Sequence, residues 1–420
     1  MKRALLLALS ALSCLACGTS GRVQQQTVPP EDPAPAARIE PITRVALTDA
    51  EKARVEAANA FALNLLKEVY GKKAESIVLS PLSVQYALGM VNNGASGETE
   101  REISSVLGQE GRDSLNAFCR HLLTDLPRVD TTVTLSIANG IILNDRYSLK
   151  QPFKKAVERD YDAMVEEMSF ADDKAVLGKV NGWCAEKTRG KITEILSDVS
   201  ADAILFALNA VYFKGNWADA FEKKYTREED FTTARGKKIK VQMMHKEDKF
   251  SYGENERFQR LALPYGNGKF AMEVLLPKGD NMPEFLDYLS VTPWKDLKPS
   301  AYPTPTVIVS FPRFQTETYR KLNDPLTDLG MVRAFTDGAQ FFDMVNEADA
   351  KISRVLHKAR IEVEETGTVA AAVTAVEMVR LTAIPNPPRP KVFRADRPFV
   401  YFITERTSGA ILFSGVYTGE

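Results

Sequence analysis

The sequence predicts an α+β fold, with helices in the first half of the chain and a large mixed, mostly antiparallel main sheet plus smaller sheets in the second half. Two patterns lead to this prediction. Apolar residues recur at helical spacing from about residue 49 to about residue 108, and beyond about residue 133 they alternate or run together as in strands. A hydrophobic content of 44% and a charged content of 26% fit a globular protein, and 420 residues are enough for one large domain.

The helices are predicted from the signals at which they start and end. Thr48 to Glu51 form a capping-box pattern, and apolar residues at helical spacing continue to about Tyr70. Ser80-Pro81 supplies a capping residue followed by proline at the first helical position, and that helix ends at Asn92-Asn93-Gly94. Thr99 to Glu102 is a further capping pattern, which predicts a short helix that starts there.

The strands are predicted from apolar runs and from the turn residues between them. Ile204 to Phe213 is nearly all apolar, which is typical of a strand buried on both faces. Tyr265-Gly266-Asn267-Gly268 and the segment Glu405 to Gly409 separate apolar runs and predict two hairpins. The remaining predicted strands, including those of the hairpins, lie at residues 133–137, 261–263, 270–276, 307–311, 399–403 and 411–417.

The first residues have the pattern of an export signal. Two basic residues precede an almost entirely apolar segment, Ala4 to Ala16, which is too short for a permanent membrane anchor. It ends at Cys14-Leu15-Ala16-Cys17-Gly18, which resembles a bacterial lipoprotein signal that is cleaved after Ala16 and lipidated at Cys17. We expect an exported protein that is lipid-anchored at the cell envelope, and simple secretion to the extracellular space is the alternative.

A linker and one domain follow the signal. Residues 17–46 are rich in Pro, Thr, Gln and Ala, which predicts a disordered tether, and residues 47–420 are predicted to form one domain. Cys119 and Cys184 are the two cysteines of that domain. They either pair in an oxidising compartment or lie buried as free thiols, and the sequence leaves both alternatives open.

Charge and motifs argue against several classes of function. A net charge of −1 without a basic block makes nucleic acid and anionic membrane surfaces poor partners. His121, His245 and His357 are scattered without metal-ligand spacing, and the sequence has no nucleophile elbow, phosphate loop or dinucleotide motif. We therefore expect no metal, no cofactor and no enzyme activity, with a serine hydrolase built on His357 as a remote alternative.

Residues 364–390, EETGTVAAAVTAVEMVRLTAIPNPPRP, are the most unusual stretch of the chain. No charge occurs between Glu365 and Glu377, and no proline occurs between Thr366 and Ile384. If residues 368–378 formed a strand, small or apolar side chains would line one face, and the absence of proline would allow pairing on both edges. Composition alone leaves three alternatives, which are an alanine-rich helix, a fixed strand and a mobile strand.

The flanks of this stretch resemble the hinge of the serpin family, whose pattern is Glu-Glu-x-Gly-Thr-Glu-Ala-Ala-Ala-x-Thr. Val369 and Val373 depart from the usual Glu and Ala, and both lie on the strand face that would point away from the core. Other motifs of the family follow in family order over roughly 350 residues, namely Ser80-Pro81-Leu82-Ser83, Asn93-Gly94-Ala95, Asn181 with Thr188-x-Gly190-Lys191-Ile192, Asn209 to Trp217, Met243-Met244-His245, Leu263-Pro264-Tyr265, Pro312-Arg313-Phe314, Leu329-Gly330-Met331 and Arg397-Pro398-Phe399.

The resemblance implies a serpin fold with an exposed reactive-centre loop, and a suicide inhibitor of serine proteases or sometimes cysteine proteases. In that mechanism the protease attacks the loop and forms an acyl-enzyme. The cut loop then inserts into the main sheet as an added strand before the ester is hydrolysed. The implied partner is a target protease in a covalent complex with a monomeric inhibitor.

The resemblance also implies roles for individual residues. Trp217 matches the tryptophan of the breach, where the loop first enters the sheet. The hinge residues are Glu365, Gly367, Thr368, Ala370, Ala371, Ala372 and Thr374. The shutter residues, polar side chains beneath strands that must part, are Ser80, Ser83, Asn181 and His357.

The usual hinge length, counted from Glu365, places the scissile bond at Leu381–Thr382, and a loop one residue shorter would use Arg380–Leu381. Leu381 suits a chymotrypsin-like or subtilisin-like protease, whereas Arg380 suits a trypsin-like one. A non-inhibitory serpin that acts as a binding protein is the alternative, although such members tend to have bulky or charged hinges, which this chain lacks.

Overall fold

Eight α-helices and sixteen strands occur in the residues that the computed structural model describes, which are 40–71, 73–108, 111–297, 306–347, 350–368 and 389–420. The helices are α1 Asp49–Tyr70, α2 Pro81–Asn92, α3 Gly97–Val106, α4 Arg112–Asp125, α5 Gln151–Tyr161, α6 Asp173–Lys187, α7 Met282–Val291 and α8 Asn323–Asp328. The strands are β1 Ile77–Leu79, β2 Thr134–Asn144, β3 Ala163–Met168, β4 Leu205–Asn216, β5 Arg227–Thr232, β6 Lys238–Lys249, β7 Ser251–Glu254, β8 Phe258–Tyr265, β9 Phe270–Pro277, β10 Thr306–Pro312, β11 Phe314–Lys321, β12 Arg354–Glu364, β13 Gly367–Thr368, β14 Lys391–Arg394, β15 Phe399–Glu405 and β16 Ile411–Tyr417.

Two predicted helix starts have different outcomes. The capping box of α1 is confirmed, because the Thr48 hydroxyl accepts from the Glu51 amide at 3.2 Å and the Glu51 carboxylate accepts from the Thr48 amide at 2.8 Å. The predicted start of α3 at Thr99 is wrong, because α3 begins at Gly97. The Thr99 hydroxyl is buried and accepts instead from the Gln340 amide at 3.0 Å, so a tertiary contact uses the side chain that the local pattern assigned to a cap.

The main sheet has the strand order β11-β12-β13-β4-β2-β3. Its central strand β4 is buried on both faces, as the apolar run predicts. Residues of one face, such as Leu205 and Phe213, belong to the large core shared with α1 and α2. Residues of the other face, such as Phe206 and Leu208, belong to a second core cluster shared with α6. Helices therefore cover both sides of the main sheet.

Two further sheets complete the α+β architecture. The second sheet has the order β1-β16-β15-β9-β8-β7 and contains both predicted hairpins, β8–β9 and β15–β16, as antiparallel pairs. A four-stranded sheet has the order β14-β10-β6-β5. The described strand pairs are antiparallel except for β2–β3, β12–β4 and β10–β14, so the predicted mixed, mostly antiparallel system is confirmed.

The packed part of the chain begins before residue 47. Val45 is 3% exposed, and its amide donates to the Thr407 hydroxyl at 3.0 Å. The Ile42 amide donates to the Arg128 carbonyl at 3.0 Å. The predicted end of the tether at residue 46 is therefore too late, because Ile42 and Val45 already hydrogen-bond to the domain and Val45 packs in its core. Residues 1–39 lie outside the described part. None of the helices in the described part is long and apolar enough to cross a membrane.

Both domain cysteines are buried free thiols. Cys119 belongs to the large core and Cys184 to the second core cluster across the main sheet, so they do not pair. Burial raises the pKa of Cys119 to about 12 and that of Cys184 to about 11, and both thiols therefore stay protonated and unreactive at neutral pH.

Candidate functional site: a hinge docked in the main sheet

The chain reverses direction immediately after β12 and enters the main sheet. Glu365 and Thr366 make the turn, and the two residues of β13 then pair on both edges. Gly367 lies opposite Glu364 of β12 and opposite Asn216 of β4. The segment that the sequence marks as the hinge thus begins as a short strand between β12 and β4.

Glycine is the only residue type that fits at position 367 of the sheet. Its φ of 142° is unfavourable for residues with a side chain. A Cβ atom there would lie 2.6 Å from the Cα of Asn216 and 2.8 Å from the amide nitrogen of Trp217. Backbone atoms of β4 and the turn after it cannot move aside as a flexible side chain would, so any larger residue would push the hinge out of the sheet.

An aromatic pair contacts Thr368, the residue of β13 that carries a side chain. Thr368 is 2% exposed, and its hydroxyl is 2.7 Å from the hydroxyl of Tyr265. The Tyr265 ring stacks on Trp217 with 4.4 Å between ring centroids, and the Trp217 indole donates to the Glu364 carbonyl at 2.9 Å. Burial raises the pKa of Tyr265, so its hydroxyl stays protonated and able to donate.

Charge and backbone hydrogen bonds hold the turn itself. Glu365 is 3% exposed, and its carboxylate accepts from the Thr226 hydroxyl at 2.9 Å. Arg313 lies 3.6 Å from the Glu365 carboxylate and 3.1 Å from that of Glu364. The Phe221 amide donates to the Glu365 carbonyl at 2.8 Å. The buried carboxylate is thus compensated by a hydroxyl and a guanidinium.

Beyond the hinge, β12 and β4 pair with each other only near the opposite end. Their direct register consists of Arg354 with Phe206 and Val355 with Ala207. Between that end and β13, a narrow cleft of about 20 Å³ is lined by residues of both strands and of the loop before β4, namely Lys191, Ile192, Val211, Tyr212, Phe213, Arg360 and Glu362. The two strands therefore have separated edges where an added strand would run.

A buried polar cluster lies beneath the separated strands. The Ser80 amide donates to His357 Nε2 at 3.1 Å, and the Ser80 hydroxyl donates to the Leu412 carbonyl at 2.9 Å. The Ser83 hydroxyl donates to the side-chain oxygen Oδ1 of Asn209, and the side-chain Nδ2 of Asn209 donates to Oδ1 of Asn139. Burial lowers the pKa of His357 to about 4, so the ring is neutral at pH 7 and can accept at Nε2.

The structure does not bring Asn181 to this cluster. Asn181 lies on α6, where its amide donates to the Leu196 carbonyl at 2.7 Å and its carbonyl oxygen accepts from the amides of Ile195 and Leu196. Its side chain instead hydrogen-bonds to the backbone of the segment that follows α6. Asn209 occupies the position in the cluster that was predicted for Asn181. An asparagine inside the otherwise apolar, buried strand β4 is the feature of the sequence that indicates a buried hydrogen-bonded residue there.

The other predicted site residues divide into those that the structure describes and those outside the described residues. Trp217, Glu365, Gly367 and Thr368 come together at the hinge. Ala370, Ala371, Ala372, Thr374, Arg380, Leu381 and Thr382 lie outside the described residues, as does Cys17. Tyr265 and Arg313 belong to family motifs, but no local pattern in the sequence predicts that they contact the hinge.

The histidines at positions 121 and 357 have partners of other kinds, and potential metal ligands are not clustered in the described part. No group of three or more potential metal ligands occurs in the described ranges. His357 is 3% exposed and accepts from a backbone amide rather than a serine hydroxyl. His121 Nδ1 is 2.7 Å from the Glu51 carboxylate and its Nε2 is 3.2 Å from that of Asp125, so this half-buried histidine is paired with two carboxylates.

The fold and the site define a class of protein. Its main sheet is open between two strands, here β12 and β4, and the segment that follows β12 begins inside that opening as β13. Comparison with known proteins narrows that class. The serpin family model, described as serine protease inhibitor, matches residues 56–419. The chain belongs to the serpin family. Members of this family generally inhibit serine proteases through complexes with them and are generally not enzymes.

Individual relatives agree with this assignment. A serpin-like protein of Thermococcus kodakarensis is 36% identical over 368 residues, which cover 87% of this chain and 85% of that protein. Serpin B8 of Homo sapiens is 36% identical over 376 residues, which cover 86% of this chain and 98% of that protein. The thermophilic serpin tengpin in its native state has a TM-score of 0.80 at 29% identity, with 90% of this chain and 96% of that chain covered.

Proposed function

We propose that this chain is a suicide inhibitor of serine proteases, with cysteine proteases as a further target class. The protease serine attacks a bond in the reactive loop and forms an acyl-enzyme, and the cut loop then extends β13 between β12 and β4. The observation that carries the proposal is β13 itself. Its two residues are already paired on both edges, at the entrance to the separated part of the sheet.

The chemistry of the hinge supports inhibition over simple binding. The residues that follow Thr368 along the inserting face are small or apolar. A charged or bulky side chain there would have to be desolvated or accommodated during insertion, which would delay it while water hydrolyses the acyl-enzyme. A binding-only serpin has no such requirement on the hinge.

We further propose that Leu381–Thr382 is the scissile bond, with Arg380–Leu381 as the neighbouring alternative. We also propose that the protein is exported, with Cys17 as the site of lipidation at the cell envelope and secretion as the alternative. These proposals rest on the sequence patterns of the loop and of the first residues.

The test mixes the full chain separately with a chymotrypsin-like, a subtilisin-like and a trypsin-like protease. We expect a covalent band on denaturing gels and a released peptide that begins at Thr382. A peptide that begins at Leu381 would move the scissile bond to Arg380–Leu381. Cleavage in the loop by all three proteases without any covalent band would contradict inhibition and favour a binding protein.

A further inference from the structure

The strand register on both sides of β13 shows that β12 and β4 separate without sliding along each other. Thr368 lies opposite Val363 of β12 and opposite Gly215 of β4, so its two neighbours differ by 148 in residue number (363 − 215). Where β12 and β4 pair directly, Arg354 lies opposite Phe206, and the difference is again 148 (354 − 206). A strand that continues β13 can therefore keep one register with both neighbours as far as that end.

This common register places Glu377 beside Arg354. Opposite residues of β13 and β12 add up to 731 (368 + 363), and those of β13 and β4 add up to 583 (368 + 215). In a continued strand, position 377 would thus lie between Arg354 and Phe206 (731 − 354 and 583 − 206). Glu377 is also the only charged residue between Glu365 and Arg380. Both neighbouring strands therefore assign the one charge of the inserting run to the same place.

Arg354 lies on the face of the sheet that position 377 would share. Residues directly opposite each other on neighbouring strands point to the same face. Phe206, the other neighbour, belongs to the second core cluster, which the main sheet shares with α6. The Arg354 side chain is 24% exposed on this face, so an ion pair formed there is screened less than one at the open surface.

Arg354 already holds one carboxylate in the uncut fold. Its Nη1 and Nη2 atoms donate to the two carboxylate oxygens of Asp198, in the segment after α6, at 2.9 and 2.5 Å. A guanidinium carries five N–H donors, and this contact uses two of them. Arg354 can therefore accept a second carboxylate without losing the first.

The other cations on this face of β12 would meet uncharged residues of the added strand. Lys358 and Arg360 lie 3.1 and 3.7 Å from the Glu317 carboxylate. By the same sum of 731, they would lie opposite positions 373 and 371, which hold Val and Ala. The charge of the inserting run thus reaches a cation of its own only at Arg354.

We propose that Arg354 is a positioning residue for insertion, and that its guanidinium binds the Glu377 carboxylate once the cut loop reaches the far end of β12 and β4. The pair fixes the register of the added strand and keeps its last residues in the sheet. The contact forms only after Arg354 and Phe206 give up their direct pairing, so it is absent from the uncut chain. This inference rests on the proposed inhibitory function and deepens it, because it names the contact that completes insertion.

The test measures hydrogen exchange of the cut full chain by mass spectrometry, at the amides of residues 376–378 and with correction for intrinsic rates. The variants are Arg354→Gln, Glu377→Gln and the two combined, each cut at a verified bond beyond residue 378. We expect exchange there to be about two- to fivefold faster in each single variant than in the wild type. The double variant should exchange no faster than the single ones, because either change removes the same pair.

Arg360→Gln is the matched control. This residue has the same side chain on the same face of β12, six positions closer to β13 (360 − 354) and opposite position 371. It should leave exchange at residues 376–378 unchanged, alone or added to Glu377→Gln. In the uncut chain, Glu377→Gln should leave exchange at the Val355 and Ala207 amides unchanged.

The outcomes separate this pair from insertion itself. Additive effects of the two changes, or no effect of either, in a chain whose residues 369–375 become protected on cutting would overturn the pair and leave insertion intact. If those residues gain no protection in the cut wild type, insertion and this inference both fail. An equal coupling between Arg354 and Glu377 in the uncut chain would place the contact in the resting fold and would overturn its role in insertion.

Discussion

His357 is an ionisable side chain buried at the centre of a sheet whose strands are separated. Its Nε2 atom accepts from the Ser80 amide at 3.1 Å and therefore requires the neutral ring. Burial makes the charged ring unfavourable, which lowers the pKa to about 4 from the usual value of about 6.5. The hydrogen bond between Ser80 and His357 therefore depends on the neutral state of the His357 ring.

The pH dependence of stability follows from this residue. Between about pH 6.5 and pH 4 the unfolded chain binds more protons at His357 than the folded chain does, so the free energy of unfolding falls as the pH falls. The contribution is complete above pH 6.5, and the loss by pH 4 is on the order of 3 kcal/mol. Denaturant unfolding at pH 7 and pH 4.5 measures it, and His357→Gln should reduce the difference.

His121 supplies the control for that experiment. Its hydrogen bonds with Glu51 and Asp125 outweigh burial and raise its pKa, so its contribution is present at low pH and disappears as the pH rises. His121→Gln should therefore leave the acid loss of stability in place or increase it. An identical pH dependence in the wild type and in His357→Gln would contradict the assignment of the effect to His357.

Gly367 allows the hinge to enter the sheet, and Gly367→Ala tests this role. The added Cβ meets the backbone of Asn216 and Trp217, and the φ of 142° adds strain on the order of 1–3 kcal/mol. We expect the stoichiometry of inhibition to rise by about twofold or more, because delayed insertion leaves more acyl-enzyme to hydrolysis. Gly236→Ala is the control, since φ is also positive there but no atom lies within 4 Å of the added Cβ.

The short strand β13 and its turn contact the adjacent strand β12 and three segments that are distant in sequence. Its Thr368 contacts Tyr265 at the end of β8, its turn is held by Arg313 between β10 and β11, and its edges pair with β12 and β4. Because these contacts involve many separate groups, the start of the loop is held in place although only two residues form the strand.

Loss of one contact should loosen this strand measurably. Tyr265→Phe leaves the buried Thr368 hydroxyl without its 2.7 Å partner, at a cost of about 1–2 kcal/mol. We expect about 5- to 30-fold faster hydrogen exchange at the Trp217 and Phe221 amides, which donate to Thr366 and Glu365. Tyr252→Phe, which removes a hydroxyl bonded to Gln259 in the second sheet, should leave these rates unchanged. Equal rates in both variants would show that the hydroxyl pair does not hold the hinge.

The whole molecule combines a main sheet that is open between β12 and β4 with a segment that starts inside the opening. Extending β13 by about a dozen ladder hydrogen bonds at about 1 kcal/mol each would stabilise the fold by on the order of ten kcal/mol before entropy. In the proposed mechanism the uncut fold is less stable than the cut one, and that difference would be available to move a bound protease.

Cutting the loop should raise the thermal midpoint of the whole domain. For a domain of this size we expect a rise on the order of ten degrees or more. Scanning calorimetry of the chain before and after limited proteolysis within residues 369–388 measures it. The Gly367→Ala variant should show a smaller rise, and no change in the wild type after a verified cut would favour the binding-protein alternative.

Local patterns predicted much of this molecule because they involve neighbours in sequence. The capping box at Thr48, the hairpin turn at Tyr265-Gly266-Asn267-Gly268 and the doubly buried strand β4 all depend on residues a few positions apart. Predictions that needed a partner far along the chain were weaker. The pattern at Thr99 predicts a cap, but its hydroxyl accepts from the Gln340 amide, and the cluster predicted to include Asn181 contains Asn209 instead.

By itself the sequence determined the α+β class, the helices α1 and α2 with several of the strands, and the small, uncharged run after Glu365 that points to strand insertion. Only the tertiary structure decided that β12 and β4 separate beyond the end at which they pair. It also decided that Tyr265 and Arg313 contact the hinge. The common register of β12 and β4 at both ends of the opening is likewise a result of the tertiary structure. The reason is physical. Helix caps, turns and apolar periodicity are local, whereas strand register, buried hydrogen-bond partners and exposure depend on which distant segments pack together.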